Sequence, residues 1–283
     1  MDAECLDHRL TDEEREAFRR DGYFIVHDAL RADDVAALCE ATMRVDAEGR
    51  REQDLGPRDR LSVMDFIGRD DTFVELCDLP TTFAKVCDIL GWNIQIYHSH
   101  LVVTPPWQAT GKRDMAFGWH QDSARLNLEM EVDPRPMVSI KVAYFLSDCS
   151  DVDRGNFYVL PGSQLQNSID FPEGGRKALP DGAVPVLAPA GSAVLFDRRL
   201  WHTASANYWT DPRLVLFYGY SYRWLRPRDN VTMSHYWDRL DPIRKQLFGA
   251  APTGGYGYTS PTDADVPLRT WLSEHLGPDA VAR

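Results

Sequence analysis

At Trp92 the spacing of apolar residues changes from the 3.6-residue period of amphipathic helices to the two-residue alternation of strands. No other feature constrains the fold as strongly. From there, short runs bounded by Gly, Pro, Asp or Asn follow one another, at 92–103, 136–146, 156–160, 184–187, 193–196 and 214–222. Many strands without intervening helices pack as an antiparallel double sheet. The pattern therefore predicts a mainly β protein with flanking α-helices around a double-stranded β-helix core, a jelly roll of the cupin type.

Before Trp92 the chain reads mostly helical. Thr11-Asp12-Glu13-Glu14 is a capping box, Phe18 lies on the apolar side of the helix it opens, and Gly22 ends that helix. Residues 23–26 read as a strand. Asp33 and Asp34 open a second helix carrying Val35, Leu38 and Thr42. Residues 44–60 are charged with little apolar periodicity and are expected to form a loop. Thr72 with Glu75 starts another helix, and Phe83, Val86, Cys87 and Leu90 form the stripe of one ending at Gly91. No repeat, low-complexity tract or linker divides the chain. Residues 1–283 are expected to form one domain: helical support at about 11–91, a jelly-roll core at about 92–222, and a C-terminal extension at about 223–283 serving as lid or interface.

Composition narrows the partners. A net charge of -12 disfavours nucleic acid and anionic membrane, both of which demand positive surface. No run approaches the ~18 apolar residues of a membrane span. Cys5, Cys39, Cys77, Cys87 and Cys149 are odd in number and lack metal-ligand spacing, which fits reduced thiols packed as small apolar groups. Met1-Asp2-Ala3-Glu4-Cys5 has neither the basic nor the apolar region of an export signal, so the cytoplasm is the expected location. A monomer or homodimer acting on a small-molecule substrate is expected.

The chemistry concentrates in His120-Gln121-Asp122, His202 and Arg213. With 8 His and 31 Asp in the chain, roughly one His-x-Asp triplet is expected by accident, so the triplet alone is weak. Two imidazoles and a carboxylate on one face of a metal, however, leave the other face open, as non-haem Fe(II) oxygenases require. Arg213 adds a planar fork suited to a carboxylate. His202 and Arg213 are eleven positions apart, which suits one strand's end and the start of its antiparallel neighbour across a short turn, both facing one cavity.

The aromatic-rich segment Phe117-Gly118-Trp119-His120-Gln121-Asp122-Ser123, then Leu160-Pro161-Gly162-Ser163, Leu200-Trp201-His202, Asn207 and Arg213, resembles the phytanoyl-CoA dioxygenase family of Fe(II)/2-oxoglutarate oxygenases from about Arg15 to about Tyr222. The resemblance implies that His120, Asp122 and His202 bind Fe(II) and carry catalysis. It also implies that Arg213 pairs with the distal carboxylate of 2-oxoglutarate, and that O2 is consumed with release of succinate and CO2 as an unactivated C–H bond is hydroxylated. Relatives that halogenate have a small residue in place of the carboxylate, so Asp122 favours hydroxylation or another oxygenase outcome. Ser205 and Asn207 are expected to hold the turn before Arg213.

Two positions depart from the family pattern. Gln164 stands where the family usually has His after Pro-Gly-Ser, and is expected to alter the cavity wall. Lys141 stands where many relatives have Trp beside the cosubstrate. With 5 Lys against 26 Arg, a Lys within a strand is a pointed choice, although alternation equally permits it to face solvent. His98-Ser99-His100 places two imidazoles on one strand face, as in cupins that bind metal through His-x-His, but no carboxylate follows closely. Metal ligation, cosubstrate contact, cavity lining and plain core packing all remain open for this pair, with cosubstrate contact carried forward beside Lys141 and Arg213. Among the large aromatic residues, Phe117, Trp119, Tyr222 and Trp224 are the substrate candidates. Arg223, Trp224, Arg226 and Arg228 suggest a mostly apolar molecule with an anionic or polar handle. Two other classes share these features: a cupin-type iron-dependent isomerase or epimerase, and a non-enzymatic small-molecule binding protein.

Overall fold

The computed structural model describes residues 1–107 and 117–282. Helix α1 (Asp12–Asp21) is opened by Thr11, whose hydroxyl accepts from the Glu14 N–H while the Glu14 carboxylate accepts from the Thr11 N–H. Gly22 closes it at φ 83°, a left-handed conformation that favours glycine. Strand β1 (Tyr23–Val26) follows.

Helix α2 (Ala32–Glu52) corrects the expectation of a loop from residue 44, because it continues through half of that stretch. Its buried face runs Leu38, Ala41, Thr42, Val45, Asp46 and Gly49. Asp46 pairs with Arg50 one turn later at 2.9 Å. Gly49 lets the helix press onto β2 (Leu61–Met64); a Cβ there would lie 3.0 Å from Leu61. An acidic residue and a glycine thus carry the inward stripe, so apolar periodicity does not register it.

Short α3 (Asp71–Glu75) and α4 (Pro80–Leu90) lead into β3 (Ile94–Thr104). Next come α5 (Ala124–Glu129), β4 (Ser139–Phe145), β5 (Phe157–Val159), β6 (Val184–Pro185), β7 (Ala193–Asp197), β8 (His202–Ala204) and β9 (Arg213–Tyr222), then α6 (Pro242–Leu247) and α7 (Pro267–Leu276). Six strands form an antiparallel sheet in the order β1-β7-β4-β9-β3-β2, and three form a second in the order β6-β5-β8. This is the expected jelly roll. β8 and β9 lie in different sheets, so His202 and Arg213 are not on neighbouring strands as their spacing suggested. They meet because the two sheets face each other.

Alternation along β4 separates the two cores. Ile140, Val142 and Tyr144 pack with Leu38 and Val45 of α2 and with Phe83, Val86 and Leu90 of α4. Ala143 and Phe145 point the other way, toward Val194, Phe196, Val215 and the second sheet's Phe157 and Val159. Buried hydroxyls on the outer face are satisfied: Tyr144 shares a bond with Thr82 Oγ1 at 2.7 Å, while Tyr218 donates to the Phe73 carbonyl and Tyr220 to that of Cys77. Tyr220 is thereby committed to the helices. Every residue of β4 is buried, which leaves Lys141 no solvent-facing side.

After β9, α6 and α7 join the main core through Leu247, Leu268 and Leu272. The Gln246 amide donates to the carbonyls of Trp92 and Ile94 and accepts from Leu268 N–H. Among the described residues, no helix is long and apolar enough to cross a membrane.

Candidate functional site

Between the two sheets opens a cavity of about 740 Å³. The segment carrying His120 is laid against β8 by an antiparallel bridge, His120 N–H to the His202 carbonyl and the reverse, both 3.0 Å. Asp122 N–H continues the pairing onto the Arg198 carbonyl, and Gly118 N–H donates to Thr203 Oγ1 at 2.9 Å. Ser163 Oγ, from the Pro-Gly-Ser turn, accepts from Trp201 N–H and fixes the approach to His202. The neighbouring Gln164 lies away from the cavity. Its amide donates to the Arg19 carbonyl at the end of α1, which corrects the expectation that it shapes the wall.

One ligand atom each from His120, Asp122 and His202 can be chosen so that all lie within 4.8 Å of one another. Each imidazole is oriented by the backbone, with His120 Nδ1 2.8 Å from the Gly118 carbonyl and His202 Nδ1 2.8 Å from that of Leu200. A carbonyl only accepts, so both Nδ1 atoms carry a proton, which leaves Nε2 as the ring nitrogen available to a metal. His202 Nε2 lies 4.0 Å from Asp122 Oδ2. Burial and the nearby His120 pull the His202 imidazole down to about 3, despite the opposing Asp122 charge. It is therefore a neutral imidazole at ordinary pH.

Asp122 divides its carboxylate between two tasks. Oδ1 accepts from Lys141 Nζ at 2.9 Å, while Oδ2 is buried with no partner among the described residues. Burial tends to raise this carboxyl, but Lys141, His202 and His120 outweigh it and hold it below the usual carboxylate range. An ionised oxygen without a hydrogen-bond partner among the described residues, grouped with the His120 and His202 imidazoles, is a donor set that a divalent cation completes. The site fits Fe(II) on its own chemistry.

Arg213 opens β9 and is 3 % exposed. Its guanidinium stands over the Phe145 ring, 5.5 Å from the centroid, and Nε and Nη2 have no partner among the described residues. Burial pulls it down to about 10, against the opposing effect of Cys149. A buried cation with two unsatisfied donors calls for an anion in the same cavity. Gly155, at φ 69°, makes room for it, since a Cβ there would lie 3.0 Å from Arg213 Cδ. Asn207 holds the preceding turn as expected, its amide donating to the carbonyls of Thr104 and Asp211.

Lys141, His98 and His100 also line the cavity. His100 Nε2 is 2.6 Å from Ser62 Oγ, and His98 Nδ1 is 2.9 Å from Asp229 Oδ1. Neither histidine belongs to the metal-compatible group. The four aromatic substrate candidates lie off the cavity lining: Phe117 and Trp119 are buried with Tyr158 and Trp201, and Tyr222 stacks on Trp224 at 5.7 Å. The reason is geometric. In an extended segment successive side chains face opposite ways, so placing His120 and Asp122 inward sends Phe117 and Trp119 outward. The apolar lining comes instead from Phe157, Phe196 and Phe217 on three strands, alongside Arg60, Ser62 and Thr203. Alternation along β9 from Arg213 was the available signal for Phe217.

Comparisons with known proteins agree with this arrangement. The sequence model of the family described as phytanoyl-CoA dioxygenase (PhyH) matches residues 18–215. An uncharacterized protein, Rv1501, of Mycobacterium tuberculosis is 26% identical over 210 residues, covering 72% of this chain and 73% of that protein. Among solved structures, EctD from S. alaskensis superposes with a TM-score of 0.60 at 23% identity, over 75% of this chain and 77% of that one. HygX from Streptomyces hygroscopicus, with nickel and 2-oxoglutarate bound, gives 0.58 at 16% identity, over 77% and 90%. At these identities the structures speak for the fold.

Proposed function

The chain belongs to the phytanoyl-CoA dioxygenase family, whose cofactors are Fe(II), 2-oxoglutarate and O2, and from that premise we propose that it hydroxylates an unactivated C–H bond of a small molecule. In this reading His120, Asp122 and His202 are the iron ligands and Arg213 anchors the cosubstrate. One observation carries it: three mutually close candidate ligand atoms and a buried guanidinium with two unpartnered donors line the same cavity.

When bound, iron and 2-oxoglutarate activate O2 and oxidise a nearby C–H bond, with release of succinate and CO2. The chain's residues prepare that chemistry. His120 and His202 present lone pairs whose direction the Gly118 and Leu200 carbonyls fix. Lys141 occupies Asp122 Oδ1 and so turns Oδ2 toward the metal; we assign Lys141 this positioning role, with any effect on the cosubstrate passing through Asp122. Arg213 pairs with the distal carboxylate and fixes the molecule's far end. Phe157, Phe196 and Phe217 keep water from the reacting carbon. His100, held by Ser62, is a cosubstrate contact on the same wall.

Anaerobic titration of the protein with Fe(II) and 2-oxoglutarate tests the ligand set. The expected result is the visible charge-transfer band of the chelate in the wild type and its loss in His120→Ala and in His202→Ala. An undiminished band in both variants refutes the assignment. Incorporation of one atom of labelled O2 into product per succinate formed tests hydroxylation. Succinate without oxygen in the product would place the enzyme with the epimerase-like outcomes.

A further inference from the structure

The family match ends at residue 215, yet part of the cavity is built after it. Leu225, Arg226 and Arg228 line the opening, and the segment that carries them is pinned to β3 along its length. Gln95 Nε2 donates to the Leu225 carbonyl at 2.6 Å, and the N–H groups of Arg228 and Asp229 both reach the Tyr97 carbonyl, at 2.7 and 3.3 Å. Tyr97 sits in a bulge, where the pairing of β3 with β9 shifts register between Ile96 and His98. Its carbonyl is thereby available to the segment.

The end of this tether is a buried dyad. Asp229 Oδ2 accepts from Ser99 N–H and Ser99 Oγ, and Oδ1 accepts from His98 Nδ1. With Nδ1 donating, His98 Nε2 bears a lone pair. His98 is 1 % exposed, lines the cavity, and its Nε2 has no partner among the described residues. A buried acceptor left unsatisfied is unfavourable, so an occupant that donates to it is favoured.

Charge adds a second constraint. The chain carries -12 overall, yet among the described residues the cavity is lined by Arg60, Arg125, Lys141, Arg213, Arg226 and Arg228 against one acid, Asp122. Lys141 is used by Asp122, Arg213 by the proposed cosubstrate site, and Arg125 pairs with Glu129 at 2.7 Å. Arg60, Arg226 and Arg228 are exposed at the mouth and make no ion pair among the described residues. Three guanidinium groups without an ion pair among the described residues make this part of an acidic protein locally positive.

Resting on the oxygenase reading above, we infer that residues 225–229 are the specificity segment and that the substrate is an anion. Its carboxylate or phosphate is held by Arg60, Arg226 and Arg228, and a hydroxyl or N–H nearer the reacting carbon donates to His98 Nε2. Asp229 acts only through His98, as a positioning residue.

The test uses the enzyme loaded with Fe(II) and 2-oxoglutarate, with succinate release measured for matched probes: octanoate and methyl octanoate, 3-hydroxydecanoate and its methyl ester, geranyl phosphate and geraniol. At least one anion should stimulate succinate release tenfold more than its neutral partner, and the carboxylate and phosphate arms identify which anion is read. In the double variant Arg226→Glu/Arg228→Glu, the KM for that anion should rise at least tenfold, while 2-oxoglutarate affinity, read from the chelate band, shifts less than threefold. His98→Phe keeps the ring volume but removes the acceptor; it should lower the ratio of oxidised product to succinate at least threefold. Neutral probes matching or exceeding the anions, no anion stimulating, an unchanged coupling ratio, or arginine variants weakening 2-oxoglutarate as much as substrate would each overturn the inference. A missing chelate band in the wild type would instead defeat the underlying oxygenase reading.

Discussion

The floor and the mouth of the cavity are built on opposite principles. On the floor each polar group is directed by a fixed contact, and all but His120 are buried: His120 and His202 are held by backbone carbonyls, Asp122 by Lys141, and Arg213 by its packing over Phe145. At the mouth Arg60, Arg226 and Arg228 are exposed side chains with no carboxylate partner among the described residues. A fixed floor suits ligands of invariant shape, such as a metal ion and a small dicarboxylate, because preorganised groups lose little freedom on binding. A mouth of long, hydrated side chains suits an occupant recognised by charge more than by shape. The division follows the chain in part, since the family match covers the floor residues and Arg60 and ends before Arg226 and Arg228.

Lys141→Met gives the largest expected effect on stability and tests the floor directly. Without metal, the Lys141 ammonium compensates a carboxylate that is 8 % exposed. Removing one partner of such a buried pair costs about 3–5 kcal/mol. A metal at Asp122 Oδ2 would take over that compensation, so the destabilisation should be clearly smaller with Mn(II) and 2-oxoglutarate present. Urea unfolding of both proteins with and without metal measures this. Equal destabilisation in the two conditions would show that the metal does not share Asp122 with Lys141.

Arg213→Ala ranks next. Truncation leaves the cosubstrate's distal carboxylate unpaired in a desolvated pocket, for an expected loss of about 2–5 kcal/mol, at least tenfold in apparent 2-oxoglutarate affinity. Titration of the chelate band reads it. An unchanged affinity would move the anchor to another cation, and Arg60 would then be the first to examine, which would erase the distinction between floor and mouth.

What the sequence revealed follows the same line. The strands were legible because alternation survives wherever a sheet separates two environments, and β3, β4, β7 and β9 fall within two or three residues of their expected limits. The end of α2 was hidden because Asp46 and Gly49 carry its buried face, and β8 because it is only three residues long. His120, Asp122, His202 and Arg213 could be singled out since their motifs are local. Asp229 could not be matched to His98, because 131 positions separate them and only the bulge at Tyr97 brings the segment there. The large aromatic residues misled for a physical reason: next to inward-facing ligands in an extended chain, Trp119 and Trp201 must face the other core.

Salt offers the smallest effect and separates the two regions without any substitution. Raising ionic strength from about 0.1 M to about 1 M shortens the screening length from about 10 Å to about 3 Å, which weakens exposed charge pairs and leaves buried ones nearly intact. Exposed pairs contribute about 0.2–1 kcal/mol each, so the KM for a stimulating anionic probe such as octanoate should rise by roughly two- to fivefold. Binding of 2-oxoglutarate to Arg213, measured by the chelate band over the same range, should change less. Chloride competition at the metal is controlled by repeating the series with sulfate at matched ionic strength. Equal salt sensitivity of the two ligands would mean that Arg213 is solvated when it binds, and that floor and mouth recognise charge in the same way.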